Sequence, residues 1–97
     1  MQGFFGTMPC MVWSLSKHAK EVMHRRDIRE TWVYRVIDNP SVNIRVSDRE
    51  RHYYGAIRER GNRCLKVVVN PLKGLIVTAY FDRGMRKKGC KDDNTIR

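Results

Sequence analysis

The residues of this chain best suited to chemistry are three histidines, four tyrosines and an excess of arginine. His18 stands two residues after Ser16, in the first turn of an expected helix, where the positive helix end attracts phosphate. His52, Tyr53 and Tyr54 are consecutive in an expected strand, so His52 and Tyr54 share one face and Tyr53 takes the other. Tyr80 and Arg83 lie near the end of the last expected strand, in Thr78-Ala-Tyr-Phe-Asp-Arg83. These types suit metal-independent cleavage of a phosphodiester. That reaction needs a base for the attacking hydroxyl, an acid for the leaving oxygen and cations for the charged transition state. Histidine exchanges protons near neutral pH. The candidate catalytic residues are therefore His18, His52, Tyr54 and Tyr80. The candidate nucleic-acid contacts are Arg25, Arg26, Arg58, Arg63 and Arg83, with the cluster Arg86-Lys87-Lys88 beyond them. Each has a plainer reading: His18 as a surface residue or a partner of Trp13, the arginines as solvated charges, and either His52 with Tyr54 or Tyr53 as the face that meets the core.

Composition favours a polyanionic partner. Twenty Lys and Arg face ten Asp and Glu, a formal charge of +10. Arginine outnumbers lysine, and its planar fork binds phosphate and stacks on bases. RNA is the expected partner. At 97 residues and 41% hydrophobic content the chain has room for one domain with a modest core. No apolar run approaches the length of a membrane span, so no membrane association is expected. The opening Met1–Met11 stretch lacks the charged start and long apolar centre of a signal peptide, and Met8 or Met11 is an alternative start. Cys10, Cys64 and Cys90 are odd in number and far apart, without zinc spacing. Cys64 falls in an apolar strand pattern and reads as a small core residue. A reducing, cytoplasmic compartment is the simplest expectation. His18 and His24 are six residues apart, about 240° around a helix, so they do not form a metal pair. No Gly-rich phosphate loop or nucleophile elbow occurs, and neither metal nor cofactor is expected.

The elements that must position these residues follow from periodicity. Residues 11–15 suggest a short first strand. Ser16 caps a helix to about Arg26, with Leu15, Ala19, Val22 and Met23 on one face. Residues 29–38 form a second helix on Ile28, Trp32, Val33, Val36 and Ile37, stopped by Asn39-Pro40. After Pro40 the period changes from 3.6 to 2. Strands are expected at 42–46, 51–58, 63–70 and 75–82, joined by turns at Ser47–Glu50, Glu59–Asn62 and Asn70–Gly74. The fold class is α+β, with two N-terminal helices packed on one face of a four- to five-stranded antiparallel sheet. Residues 11–83 form the domain, and 1–10 and 84–97 are expected as loosely ordered tails.

The run Ser16-x-His18-Ala19, then Met23-x-x-Arg26-x-Ile28, Asn39-Pro40, a tyrosine-bearing strand, Val67-Val-Val and Val77-Thr-Ala-Tyr resembles domain-of-unknown-function family 4258. That family is grouped with RelE/BrnT-type plasmid toxins, and the resemblance covers roughly residues 13–83. It implies a RelE/BrnT-like sheet flanked by two helices and a ribonuclease of toxin–antitoxin type, held in check by an acidic antitoxin. It carries over to His18, Arg26, Tyr54, Thr78 and Tyr80. The competing expectation is a non-catalytic module that docks nucleic acid or an acidic protein. A third is a structural subunit whose charge serves assembly alone.

Overall fold

The computed structural model describes residues 13–84 and Cys90. Its elements run β1 (Ser14–Leu15), α1 (Lys17–Arg26), α2 (Glu30–Asp38), β2 (Val42–Ser47), β3 (Glu50–Ile57), a single 3-10 turn (Arg58–Arg60), β4 (Arg63–Asn70) and β5 (Leu75–Phe81). The strands make one sheet in the order β1-β5-β4-β3-β2. β2 to β5 form an antiparallel meander, and β1 lies parallel to β5 along the far edge. The fold is thus the expected α+β arrangement, on a sheet that is mostly rather than wholly antiparallel. Of the expected first strand, only residues 13–15 are described.

Local sequence explains the boundaries. The Ser16 hydroxyl accepts from the Ala19 amide at 2.9 Å, capping α1, and donates to the Val77 carbonyl at 2.9 Å, tying the helix start to β5. α1 ends at Asp27, which adopts a left-handed conformation (φ 56°). There Arg60 reaches back from the 3-10 turn, and its Nη2 donates to the Asp27 carbonyl at 3.0 Å. Its guanidinium also lies 5.6 Å from the Trp32 ring centre and 5.9 Å from that of Phe81. Arg60 therefore serves helix termination and packing together. Arg60→Ala should lower stability by about 1–2 kcal/mol, read as a shifted urea midpoint at constant slope.

Both helices cover one sheet face. Ala19, Met23, Ile28, Trp32, Val33 and Val36 pack on Ile57, Leu65, Val67, Val69, Ile76 and Ala79. α2 approaches β3 so closely that a Cβ on Gly55 would meet Val36 Cγ2 at 3.0 Å. Glycine is needed at this point because the helix comes so near, and not to turn the chain. In Gly55→Ala, the Val36 side chain has to give way by a few tenths of an ångström. We expect a loss of about 1–3 kcal/mol, measured by thermal unfolding.

Among the described residues neither helix α1 nor α2 packs on the opposite face, yet part of it is covered. Val42, Tyr54, Cys64 and Cys90 form a second small apolar cluster, and Cys64 is joined to Cys90 by a disulfide. Cys64 is fully buried, as expected of a small core residue, but in this second cluster and in a covalent pair. The pairing removes the ground for reading a reducing compartment from the cysteines. Of the expected C-terminal tail, Arg86, Lys87 and Lys88 lie outside the described residues, whereas Cys90 is buried against the sheet.

Candidate active site on the open sheet face

Strand register decides which residues share the face opposite α1 and α2. Tyr53 pairs with Val67, and its ring packs against the main core. His52 and Tyr54 consequently point to the other side. Successive pairings then define two neighbouring rows. Ile44, His52, Val68 and Thr78 form one, and Val42, Tyr54, Lys66 and Tyr80 form the next. Strand spacing puts side chains within a row about 5 Å apart and the two rows about 7 Å apart. Thr78 and Tyr80 fall on this face through their pairing with Val68 and Lys66, and the register shift beyond them, where Val69 meets Ile76 and Val77 is the extra residue, turns Ile76 to the core side.

Two interactions organise the face. Glu50 lies two residues before His52 on β3, and its Oε2 is 2.6 Å from His52 Nε2. The carboxylate fixes the imidazole plane and leaves Nδ1 turned away from it. Lys66 extends between two phenols, its Nζ 5.8 Å from the Tyr54 ring centre and 5.4 Å from that of Tyr80. Burial pulls the Lys66 ammonium down. Hydrogen bonding to Tyr80, the charges available at Tyr54 and Tyr80, and a bond to Tyr54 outweigh that effect, and the net shift is upward. A raised value means the charge is present throughout the range below the ordinary lysine value and is lost only above it. Lys66 is therefore a cation throughout neutral pH. Tyr54 is only 6% exposed, so its ring lies beyond the reach of a stacking base. His52 and Tyr80, both half-buried, are the rings a ligand can meet.

The other expected residues lie elsewhere. His18 is exposed in the helix layer, on the far side of the sheet from His52. Arg25 and Arg26 are exposed in the last turn of α1. Arg58 lines a shallow groove with Arg35, Ala56, Glu59 and Asn62. In that groove Arg35 makes a two-pronged pair with Glu59, both contacts at 3.0 Å. The bond from Arg35, then Glu59's own backbone bond, holds the Glu59 carboxyl down at about 2 despite some desolvation. Arg63 projects over the Phe81 ring, and Arg83 is exposed just past β5. The structure thus brings together His52, Tyr54, Tyr80 and Thr78 and leaves His18 and the arginines outside that group. Sequence reasoning missed two members, Glu50 and Lys66. A lysine interrupting the apolar run Cys64-Leu-Lys-Val-Val-Val69 was the available signal for the second.

Among the described residues no group of three His, Cys, Asp or Glu side chains is placed to hold a metal ion. No helix among them is long and apolar enough to cross a membrane.

The fold and this face define a small basic α+β protein with a polar, lysine-centred patch among the apolar side chains Val42, Ile44 and Val68 of one sheet face. The chain belongs to the family described as Domain of unknown function (DUF4258), whose model matches residues 15–81. That span runs from β1 to the end of β5 and contains every residue of the patch. No curated protein and no solved structure matches the chain.

Proposed function

We propose that this protein is an RNA-binding, metal-independent endoribonuclease of toxin type, resembling RelE and BrnT toxins and silenced by an acidic antitoxin. The observation that carries the reading is the open sheet face, where a carboxylate-oriented imidazole stands one row from a lysine held between two phenols. In this scheme His52 Nδ1 takes the proton of a ribose 2′-hydroxyl. The freed oxygen attacks phosphorus, and the bond to the 5′-oxygen breaks. Tyr80 gives its proton to that leaving oxygen, so a 2′,3′-cyclic phosphate and a 5′-hydroxyl result. Lys66 meets the extra negative charge of the phosphorane as a fixed cation in a partly desolvated place. Tyr54 holds the lysine, and Thr78 offers a hydroxyl to a phosphate oxygen. Of the two candidate histidines, His52 takes the proton-transfer role in this scheme, because His18 belongs to the helix layer.

The test is incubation of the purified protein with end-labelled RNA in EDTA. Products ending in a cyclic phosphate are the expected result, and intact RNA beside a folded protein would refute it. The place of Arg25 and Arg26 in the helix layer and of Arg63 beside Phe81, away from the open face, favours a second reading, a binding module without chemistry. That reading expects RNA retained on the protein and never cut.

A further inference from the structure

At the end of the molecule where α1 turns into α2, three arginines alternate with two aromatic rings. The Arg29 guanidinium lies 6.0 Å from the Trp32 ring centre. Arg60 lies 5.6 Å from the same ring and 5.9 Å from Phe81, and Arg63 also lies 5.9 Å from Phe81. The rings are anchored in the core, Trp32 being 5% exposed and Phe81 packed against the buried cluster. Guanidiniums held over anchored rings lose little further freedom when they bind, and stacking leaves their N–H edges free. Arg60 directs its Nη2 at the Asp27 and Arg26 carbonyls and at the Asp27 carboxylate. Among the described residues, Arg29 and Arg63 are exposed and in no ion pair.

A second observation points to a ligand. Arg29 occupies the N-cap of α2 and makes no side-chain cap bond there. Arginine is a poor choice at that position. It satisfies no orphan amide and sets a positive charge against the positive end of the helix. A residue that breaks a local rule at its own position is a candidate for work done elsewhere. Here that work is the display of a cation beside Trp32.

We propose that Arg29 and Arg63, set on the Trp32–Arg60–Phe81 stack, form a binding site for the sugar-phosphate backbone of single-stranded RNA. The site is separate from the open face and rests on the reading of RNA as substrate. A substrate strand held by its phosphates here is anchored without being read, because phosphate contacts position the chain and carry no base information. A repeated phosphate charge suits a row of planar forks better than a single carboxylate does.

The probe is a fluorescent 2′-O-methyl RNA, which binds but has no 2′-hydroxyl to be cut, titrated across a range of salt. Arg29→Gln with Arg63→Gln should weaken binding about tenfold or more at moderate salt. It should also flatten the log–log salt slope by about 1.4, two contacts at roughly 0.7 each on a single strand. Arg29→Lys with Arg63→Lys should keep the slope and bind less tightly, because the charge survives and the stacked fork does not. Arg29→Ser supplies the missing cap. Its melting midpoint should rise by a few degrees while RNA affinity falls, a split that a purely structural arginine would not give. An unchanged slope in the folded glutamine double variant overturns the site and leaves the RNA reading standing. A wild-type protein that fails to bind the probe at low salt overturns both.

Discussion

His52→Ala should reduce RNA cleavage by about 10²- to 10⁴-fold while leaving the dissociation constant for uncut RNA within about threefold of wild type. The imidazole has one carboxylate partner, sits on the interior strand β3, and makes no contact within the main core. Its removal therefore takes away proton transfer without disturbing the sheet. Lys66→Met probes the other half of the site. Methionine keeps much of the stem's volume between Tyr54 and Tyr80 and loses the charge, so a fall of about 10²- to 10³-fold in the rate constant is expected, with a preserved melting midpoint. Single-turnover kinetics with saturating enzyme separate these losses from binding. Equal loss of cleavage in His18→Ala would move the chemistry to the helix layer and sink the assignment. His52→Ala cleaving at the wild-type rate would do the same from the other side.

Reduction of the Cys64–Cys90 disulfide should destabilise the protein by about 3.5 kcal/mol on the chain-entropy estimate for the 26-residue separation. For a domain of this size that corresponds to a melting midpoint lower by roughly 15 °C or more. The bond lies inside the cluster of Val42, Tyr54, Cys64 and Cys90, so its loss also loosens the packing that keeps Tyr54 buried. Calorimetry with and without reductant, repeated on Cys90→Ser, gives the comparison. The serine variant should melt at the same temperature in both conditions and close to the reduced wild type. A midpoint indifferent to reductant in the wild type would show that the two thiols are unpaired in solution.

Much of the fold is legible in the sequence because its local signals agree. Ser16 is a cap, Asn39-Pro40 is a stop, and the change of period after Pro40 separates the helix layer from the sheet. The observed helices and the four long strands fall within a residue or so of their expected limits. The candidate site is less legible, for three physical reasons. Alternation along His52-Tyr-Tyr54 gives two faces with an aromatic ring on each, and only pairing with β4 shows that Tyr53 is the one against the core. Glu50 reads as part of a turn, whereas β3 begins with it and points it along the same face as His52. Lys66 matters because Tyr54 and Tyr80 flank it, and that cross-strand meeting depends on the register of three strands at once. The cysteine pairing joins positions 64 and 90, a long-range choice that spacing alone leaves open among three residues. Gly55 gives no turn signal, since what requires it is the nearness of Val36 on another element.

The short strand β1 has a consequence for the order in which the molecule is made. Among the described residues Ser14 and Leu15 pair with Leu75 and Ile76 alone, and Ser16 bonds to Val77, sixty-one residues further on. During synthesis these first partners leave the ribosome long before their counterparts exist. The hairpins from β2 to β4 can close as they emerge, but the start of α1 has nothing to dock on until β5 is out. The stretch around Trp13 is thus left waiting through most of translation, and it completes the sheet in the final step.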